Sequence, residues 1–131
     1  PEKRATYARN FPGTRLDGRA IERIRGRELG RPDLLLDSPS CQPFSVSGDR
    51  GGLEDERGVD LFQIGRLLAE MEAEDPARLP KVVCIENVVD FLSWEGGRAF
   101  VLACSMLLAR GYVFGAIEID AADFEPQMRR R

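Results

Sequence analysis

The 131-residue sequence predicts an α/β fold with a mostly parallel sheet and flanking helices. Two short apolar runs, residues 34–36 and 82–85, have the continuous hydrophobicity that is typical of parallel strands buried on both faces. After each run comes a longer segment whose apolar residues recur at the spacing of an amphipathic helix. This alternation of strand and helix predicts half of a doubly wound sheet.

The first thirty residues predict two helical segments and one strand. Residues 5–11 should be helical, because Tyr7 and Phe11 share a helical face, and Pro12-Gly13 should end that helix. A short strand is predicted over residues 15–18, and one helical turn follows over residues 20–24.

A polar loop with two prolines follows the first apolar run and contains Cys41. Pro39 and Pro43 restrict their own φ angles and favour extended conformations in the residues before them, so the loop should be stiff. Open α/β sheets bind ligands at this end of their strands. A cysteine there can be a nucleophile, a metal ligand or a small buried residue, and the last role is the usual one.

The surroundings of Cys41 differ from those of the other two cysteines. Cys84 and Cys104 lie in apolar runs and are predicted to be core residues. The sequence has no histidine, so no familiar zinc pattern can be drawn. The neighbours of Cys41 are polar residues or prolines, which predicts a partly exposed thiol that can react.

The middle of the chain predicts a loop, a helix and the second strand. Residues 46–58 are rich in Gly, Ser and charged residues, as expected of a loop that closes over a substrate or of an ordinary surface connection. A helix is predicted from Leu61 to about Asp75. The strand at residues 82–85 should place Glu86 in the same crevice as Cys41, or Glu86 caps the next turn with Asn87.

The last forty residues predict a loop, a helix, a strand and a basic tail. Trp94 should be a packing residue in a loop over residues 91–97, and Gly111 should end a helix over residues 99–110. A strand is predicted over residues 112–119. The three arginines at the end of the chain are, by themselves, typical of a solvated tail.

Composition is that of a globular protein in a reducing, cytosolic setting. The apolar runs are too short to span a bilayer, and the first residues lack the apolar segment of a secretory signal. The net charge of −3 does not favour binding to DNA phosphates. A basic surface is therefore expected elsewhere in any DNA-binding protein of which this chain is part.

Three blocks of the sequence resemble the DNA (cytosine-5) methyltransferases. The blocks are PSCQPFS at residues 39–45 with the glycine-rich residues 48–58, ENV at residues 86–88, and QMRRR at residues 127–131, which matches Gln-x-Arg-x-Arg. Their order and their positions after strands make the resemblance specific, and it covers nearly the whole chain. Ser40 stands where the family usually has proline. This difference affects the expected rigidity of the loop more than the expected chemistry.

The resemblance implies a partial Rossmann-like fold of the S-adenosylmethionine-dependent methyltransferases. The implied reaction is methyl transfer to carbon 5 of a cytosine flipped out of double-stranded DNA, with no metal. The resemblance assigns catalytic roles to Cys41, Glu86, Arg129 and Arg131. It assigns cofactor contacts to Asp17 and Pro39, and substrate contacts to Gln42, Ser45, Asn87 and Gln127. For Asp17 a solvated turn residue before Gly18 is an equally good interpretation.

By the same resemblance, residues 1–131 are part of one catalytic domain that lacks the family's cofactor-binding start and target-recognition region. The chain alone is therefore expected to be inactive. The implied whole protein is a cytoplasmic, nucleoid-associated enzyme with a cognate restriction endonuclease. Two alternatives stay open: a transfer-RNA cytosine-5 methyltransferase of the same architecture, and a non-catalytic nucleic-acid interaction domain, for which Ser40 is the only support.

Overall fold

The computed structural model describes residues 2–41 and 60–124, which contain three α-helices and two parallel strands. In chain order these are α1 (Glu2–Asn10), β1 (Leu34–Asp37), α2 (Asp60–Glu74), β2 (Val82–Ile85) and α3 (Arg98–Leu108). Short 3-10 helices cover Ile21–Arg23, Gly26–Leu29, Pro76–Arg78, Val89–Leu92, Trp94–Gly97 and Ala121–Asp123. The order β1, α2, β2, α3 confirms the predicted α/β fold.

The register of the two strands sets the geometry of their carboxyl ends. Leu34 pairs with Val82 and Asp37 pairs with Ile85 in a parallel ladder. The amide of Glu86 then donates to the carbonyl of Asp37 over 2.9 Å. Both strands therefore end at the same level, and the residues that follow them are neighbours.

The core lies mainly on one face of α2. Its buried side chains recur every three or four residues, as predicted from the sequence, and are Leu61, Ile64, Leu67, Leu68 and Met71. Leu61 belongs to a cluster with Phe91 and Ala99, and Trp94 packs against that cluster. The packing role predicted for Trp94 is confirmed.

Polar contacts hold the segment before β1 on α2. The guanidinium group of Arg66 donates to the carbonyls of Ile21 and Ile24, each over 3.0 Å. The amide of Gly26 donates to Oε2 of Glu70 over 2.7 Å. A β-carbon on Gly26 would lie 2.7 Å from the carbonyl oxygen of Leu67, so this close approach requires glycine.

The prediction that both strands are buried on both faces is wrong in the described part of the chain. Leu34 and Leu36 are 51% and 70% exposed, and Val82 and Cys84 beside them are exposed as well. Leu35 and Val83, on the opposite face, are half-buried. Side chains alternate across a strand, and no described element covers the first face. The prediction of Cys84 as a core residue is wrong for this reason, whereas Cys104 is buried as predicted.

Two further strand predictions are wrong. Residues 15–18 and 112–119 form no strand. The second segment has strand-forming residues, but Val113 is 97% exposed and Ile117 81% exposed. Their side chains therefore lack the packing that stabilises a strand in a sheet. The predicted helix ends are close to the observed ones: α1 ends just before Phe11, and α3 ends before Gly111, whose φ of 78° suits a helix terminus.

The core position of Leu68 generates a stability prediction. Its side chain is fully buried on α2, so Leu68→Ala should leave a cavity and lower the free energy of unfolding by about 2–5 kcal/mol. Urea denaturation followed by circular dichroism measures this loss. Leu36→Ala is the matched control and should change stability by less than about 0.5 kcal/mol, because Leu36 is exposed. Similar losses in both variants would mean that the open face of the sheet is buried in solution.

Candidate active site at the strand ends

A crevice with a volume of about 270 Å³ lies at the carboxyl ends of the two strands. Its lining residues are Leu36, Asp37, Ser38, Cys84 and Glu86. In an open parallel sheet this edge is where ligands bind, because the side chains that follow neighbouring strands converge there. The crevice combines the side chains of Leu36 and Cys84 with three side chains that carry oxygen.

Glu86 lines this crevice, but Cys41 is not among its described lining residues, so the expectation that the two share one crevice stays a prediction. Its carboxylate is exposed, and Oε2 accepts a hydrogen bond from Oγ of Ser38 over 2.6 Å. That distance is typical of a strong bond between a hydroxyl group and a carboxylate. Within residues 2–41 and 60–124 the carboxylate forms no ion pair. Glu86 is therefore oriented by a neutral hydroxyl group.

Asn87 joins the end of β2 to the cysteine loop. Its Nδ2 donates to the carbonyl of Pro39 over 3.3 Å, and its Oδ1 accepts from the amide of Val88 over 2.9 Å. The residue after Glu86 thus binds the residue after Ser38. The substrate contact expected of Asn87 stays a prediction.

Cys41 is exposed and carries a free thiol, which confirms the exposure predicted from its polar neighbours. Pro39, two residues earlier, is buried, and its carbonyl is bound by Asn87. The chain is therefore held in place shortly before the thiol. A nucleophile needs both access and a fixed position; the exposure of Cys41 supplies access, and its role as nucleophile stays a prediction.

Asp17 does not line the crevice and is engaged by its own neighbour. Oδ1 accepts from the amide and Nε of Arg19, each over 3.0 Å, and Oδ2 accepts from a terminal guanidinium nitrogen over 2.6 Å. These bonds hold the pKa of Asp17 well below its usual range. The same guanidinium group binds Glu28 over 2.8 Å. Arg19 thus bridges the carboxylates of Asp17 and Glu28 at the surface.

The C-5 cytosine-specific DNA methylase family matches this chain over residues 1–131. The chain belongs to that family. It is 33% identical over 126 residues to the type II methyltransferase M.HhaI of Haemophilus parahaemolyticus, which covers 95% of this chain and 36% of that protein. It is 34% identical over 130 residues to M.PspPI of Psychrobacter sp. (strain TA137), with 97% of this chain and 30% of that protein covered.

A third relative is the human tRNA (cytosine(38)-C(5))-methyltransferase, which is 37% identical over 87 residues, or 65% of this chain and 21% of that protein. The chain spans about a third of the length of the type II methyltransferases it matches. The family named from the three sequence blocks is confirmed, together with its α/β fold.

Several residues that the family pattern singles out lie outside the described part of the chain. These are Gln42, Ser45, Gln127, Arg129 and Arg131, together with the loop at residues 46–58. In residues 2–41 and 60–124, no group of three or more His, Cys, Asp or Glu side chains could hold a metal ion. The described helices are also too short or too polar to cross a membrane.

Of the two residues assigned to S-adenosylmethionine, Asp17 does not fit the cofactor as it stands. An adenine amine needs a free acceptor, yet Arg19 donates four hydrogen bonds to the carboxylate of Asp17. A carboxylate has about four acceptor positions, so none is left unless Arg19 moves. The carbonyl of Pro39 accepts from Asn87 and keeps a second lone pair, so the cofactor contact expected of Pro39 stays a prediction.

Asp37 is a crevice residue that sequence reasoning missed. It ends β1, and its Oδ2 is buried without a hydrogen-bond partner among the described residues. Burial raises the pKa of Asp37, the nearby charge of Asp60 at the start of α2 raises it further, and the amide of Ser38 opposes both. A carboxylate at the end of an apolar run is the signal that singled out Glu86, and it applies equally to Asp37.

The raised pKa of Asp37 predicts a pH-dependent effect of Asp37→Asn. A raised folded-state pKa means that Asp37 contributes stability below its unfolded pKa of about 3.9, and this contribution is lost as the pH rises through the folded value. Asn cannot ionise, so the variant should gain stability over the parent at about pH 7, and the gain should shrink towards about pH 3. Urea unfolding at both pH values tests this. A difference that did not change with pH would show that ionised Asp37 does not strain the fold.

Proposed function

We propose that this chain is the catalytic part of a DNA (cytosine-5) methyltransferase, with Cys41 as nucleophile and Glu86 as acid. The observation that carries the proposal is the pairing of Ser38 with Glu86 and of Pro39 with Asn87. This pairing brings the acid next to the loop that presents the exposed thiol. Family membership and the type II relatives support DNA as the substrate and S-adenosylmethionine as the family's methyl donor.

The chemistry of cytosine explains why a thiol and an acid are needed together. Carbon 5 of the ring is a poor nucleophile, so a temporary covalent bond must activate it. The thiolate of Cys41 adds to carbon 6, and the electron pair of the C5–C6 double bond then makes carbon 5 able to accept a methyl group. Loss of the proton from carbon 5 afterwards expels the thiolate and restores the double bond.

Glu86 acts at the opposite edge of the base. Negative charge builds on ring nitrogen 3 as the thiolate adds, and a carboxyl group beside that nitrogen donates a proton to it. The same carboxyl group accepts from the exocyclic amine, which distinguishes cytosine from thymine. Arg129 and Arg131 are assigned by the family pattern to support this site and to reach the base's carbonyl oxygen.

Substrate access requires the target base to leave the helix. Carbon 6 and nitrogen 3 cannot both be reached while the cytosine is stacked and paired, so the base must be flipped into the crevice. The cognate restriction endonuclease implied by the type II relatives belongs to this proposal as a functional partner of the whole protein.

A transfer-RNA substrate is the second candidate, and the human relative is the observation that favours it. The same Cys41 and Glu86 would act on an unpaired base in an RNA loop. Comparing methyl incorporation into duplex DNA and into transfer RNA by the full-length protein separates the two substrates.

Covalent trapping tests Cys41. Fluorine at carbon 5 blocks the final loss of the proton, so the full-length protein should form a stable adduct with DNA that contains 5-fluorocytosine. Cys41→Ser should abolish the adduct on a denaturing gel. Cys84→Ser is the matched control and should leave trapping intact, although Cys84 is also exposed and lines the crevice. Trapping that survived in Cys41→Ser and disappeared in Cys84→Ser would make Cys84 the nucleophile.

Glu86→Gln tests the acid. The variant keeps the size and much of the hydrogen bonding of Glu86 but has no carboxyl proton, so kcat on duplex DNA should fall by about 10²–10⁴-fold. The Kd for DNA should change by less than about tenfold, because the amide still fills the crevice. Equal losses in rate and in DNA binding would assign Glu86 a structural role instead.

A further inference from the structure

Ser38 and Glu86 occupy equivalent positions on neighbouring strands. Each is the first residue after its strand, and the parallel register places the two side by side. Leu36 and Cys84, which lie two residues earlier and pair with each other, line the same crevice. The bond of 2.6 Å between Oγ of Ser38 and Oε2 of Glu86 therefore follows from the register.

The backbone around Ser38 is held on both sides. Before it, the carbonyl of Asp37 accepts from the amide of Glu86 over 2.9 Å. After it, the carbonyl of Pro39 accepts from the side chain of Asn87 over 3.3 Å, and Pro39 is buried. A serine side chain has a single heavy-atom torsion with three staggered positions, so a fixed backbone leaves its hydroxyl group few places to occupy. The hydroxyl group is thus a rigid support for the longer and more flexible glutamate.

We propose that Ser38 is a positioning residue that binds Oε2 of Glu86 and leaves Oε1 free to face the target base. This inference rests on the proposed function of Glu86. Hydrogen bonding at Oε2 restricts the carboxyl group to one orientation, which reduces the freedom lost when the base enters. An exposed glutamate without such a bond would sample several rotamers.

The same bond determines which oxygen carries the proton. A hydroxyl group donates best to the unprotonated oxygen of a carboxyl group, so its bond to Oε2 favours the proton of the neutral acid on Oε1. During attack by Cys41 on carbon 6, this proton moves from Oε1 to nitrogen 3 of the base, and the carboxylate that forms keeps its bond from Ser38. The hydroxyl group also stabilises the negative charge left on Glu86.

A double-mutant cycle in the full-length protein tests this role. Ser38→Ala should lower kcat on duplex DNA by about tenfold to a hundredfold, as expected for loss of a hydrogen bond to a charged group, with little change in the KM for DNA. In a Glu86→Ala background Ser38→Ala should cause no further loss, because no carboxyl group remains to be positioned. Ser38→Thr keeps a hydroxyl group and should retain most of the rate, whereas Ser38→Val, which has nearly the same shape, should be as slow as Ser38→Ala.

The outcomes separate this inference from the proposed function. Equal losses for Ser38→Ala in both backgrounds, or equal rates for the Thr and Val variants, would overturn the positioning role while Glu86 remained the acid. A parent protein that does not methylate cytosine, or a Glu86→Ala variant with full activity, would overturn the proposed function and this inference with it.

Discussion

The parallel pairing of β1 with β2 is the constraint on which the candidate site depends. Parallel strands need a crossover connection, and α2 lies in that connection and forms most of the described core. Because Asp37 and Ile85 pair in register, the chain leaves both strands at the same level. Ser38 and Glu86 then meet without any special loop structure. A shift of one residue in this register would turn the glutamate to the other face of the sheet.

Periodicity and local composition were enough to predict most of the elements that carry the site. The apolar runs before Ser38 and Glu86 form strands, the helical spacing after Asp60 forms α2, and the polar surroundings of Cys41 correspond to an exposed thiol. The burial of the strands was less predictable. An apolar sequence indicates that a strand can be buried, but it does not indicate which element packs against each face. Leu36 and Cys84 are exposed because no described element covers them, and residues 112–119 pair with no described strand despite their strand-forming side chains.

Side-chain contacts within the site were the least predictable part. Ser38 has no sequence signature as a partner of Glu86, since the contact depends on strand register over a separation of 48 residues. Asp17 binds Arg19, which is only two residues away along the chain. The family pattern predicts instead that the carboxylate of Asp17 is free to accept a hydrogen bond from a ligand. Asp37 and Glu86 are both acids at strand ends, so the sequence pattern does not distinguish them. They differ in burial, because Oδ2 of Asp37 is buried and Glu86 is exposed.

The charge of the crevice places a further demand on the proposed enzyme. Asp37 and Glu86 line it, and Asp60 acts on Asp37 from the start of α2, so its surroundings are acidic. Addition of a thiolate to cytosine brings more negative charge to the same place, which acidic surroundings alone would oppose. The reaction therefore needs cationic groups that reach the base from elsewhere, and guanidinium groups suit this because they stay charged and bind oxygen in a fixed geometry. On the proposed function, Arg129 and Arg131, which the family pattern assigns to this site, are the residues that would meet this demand.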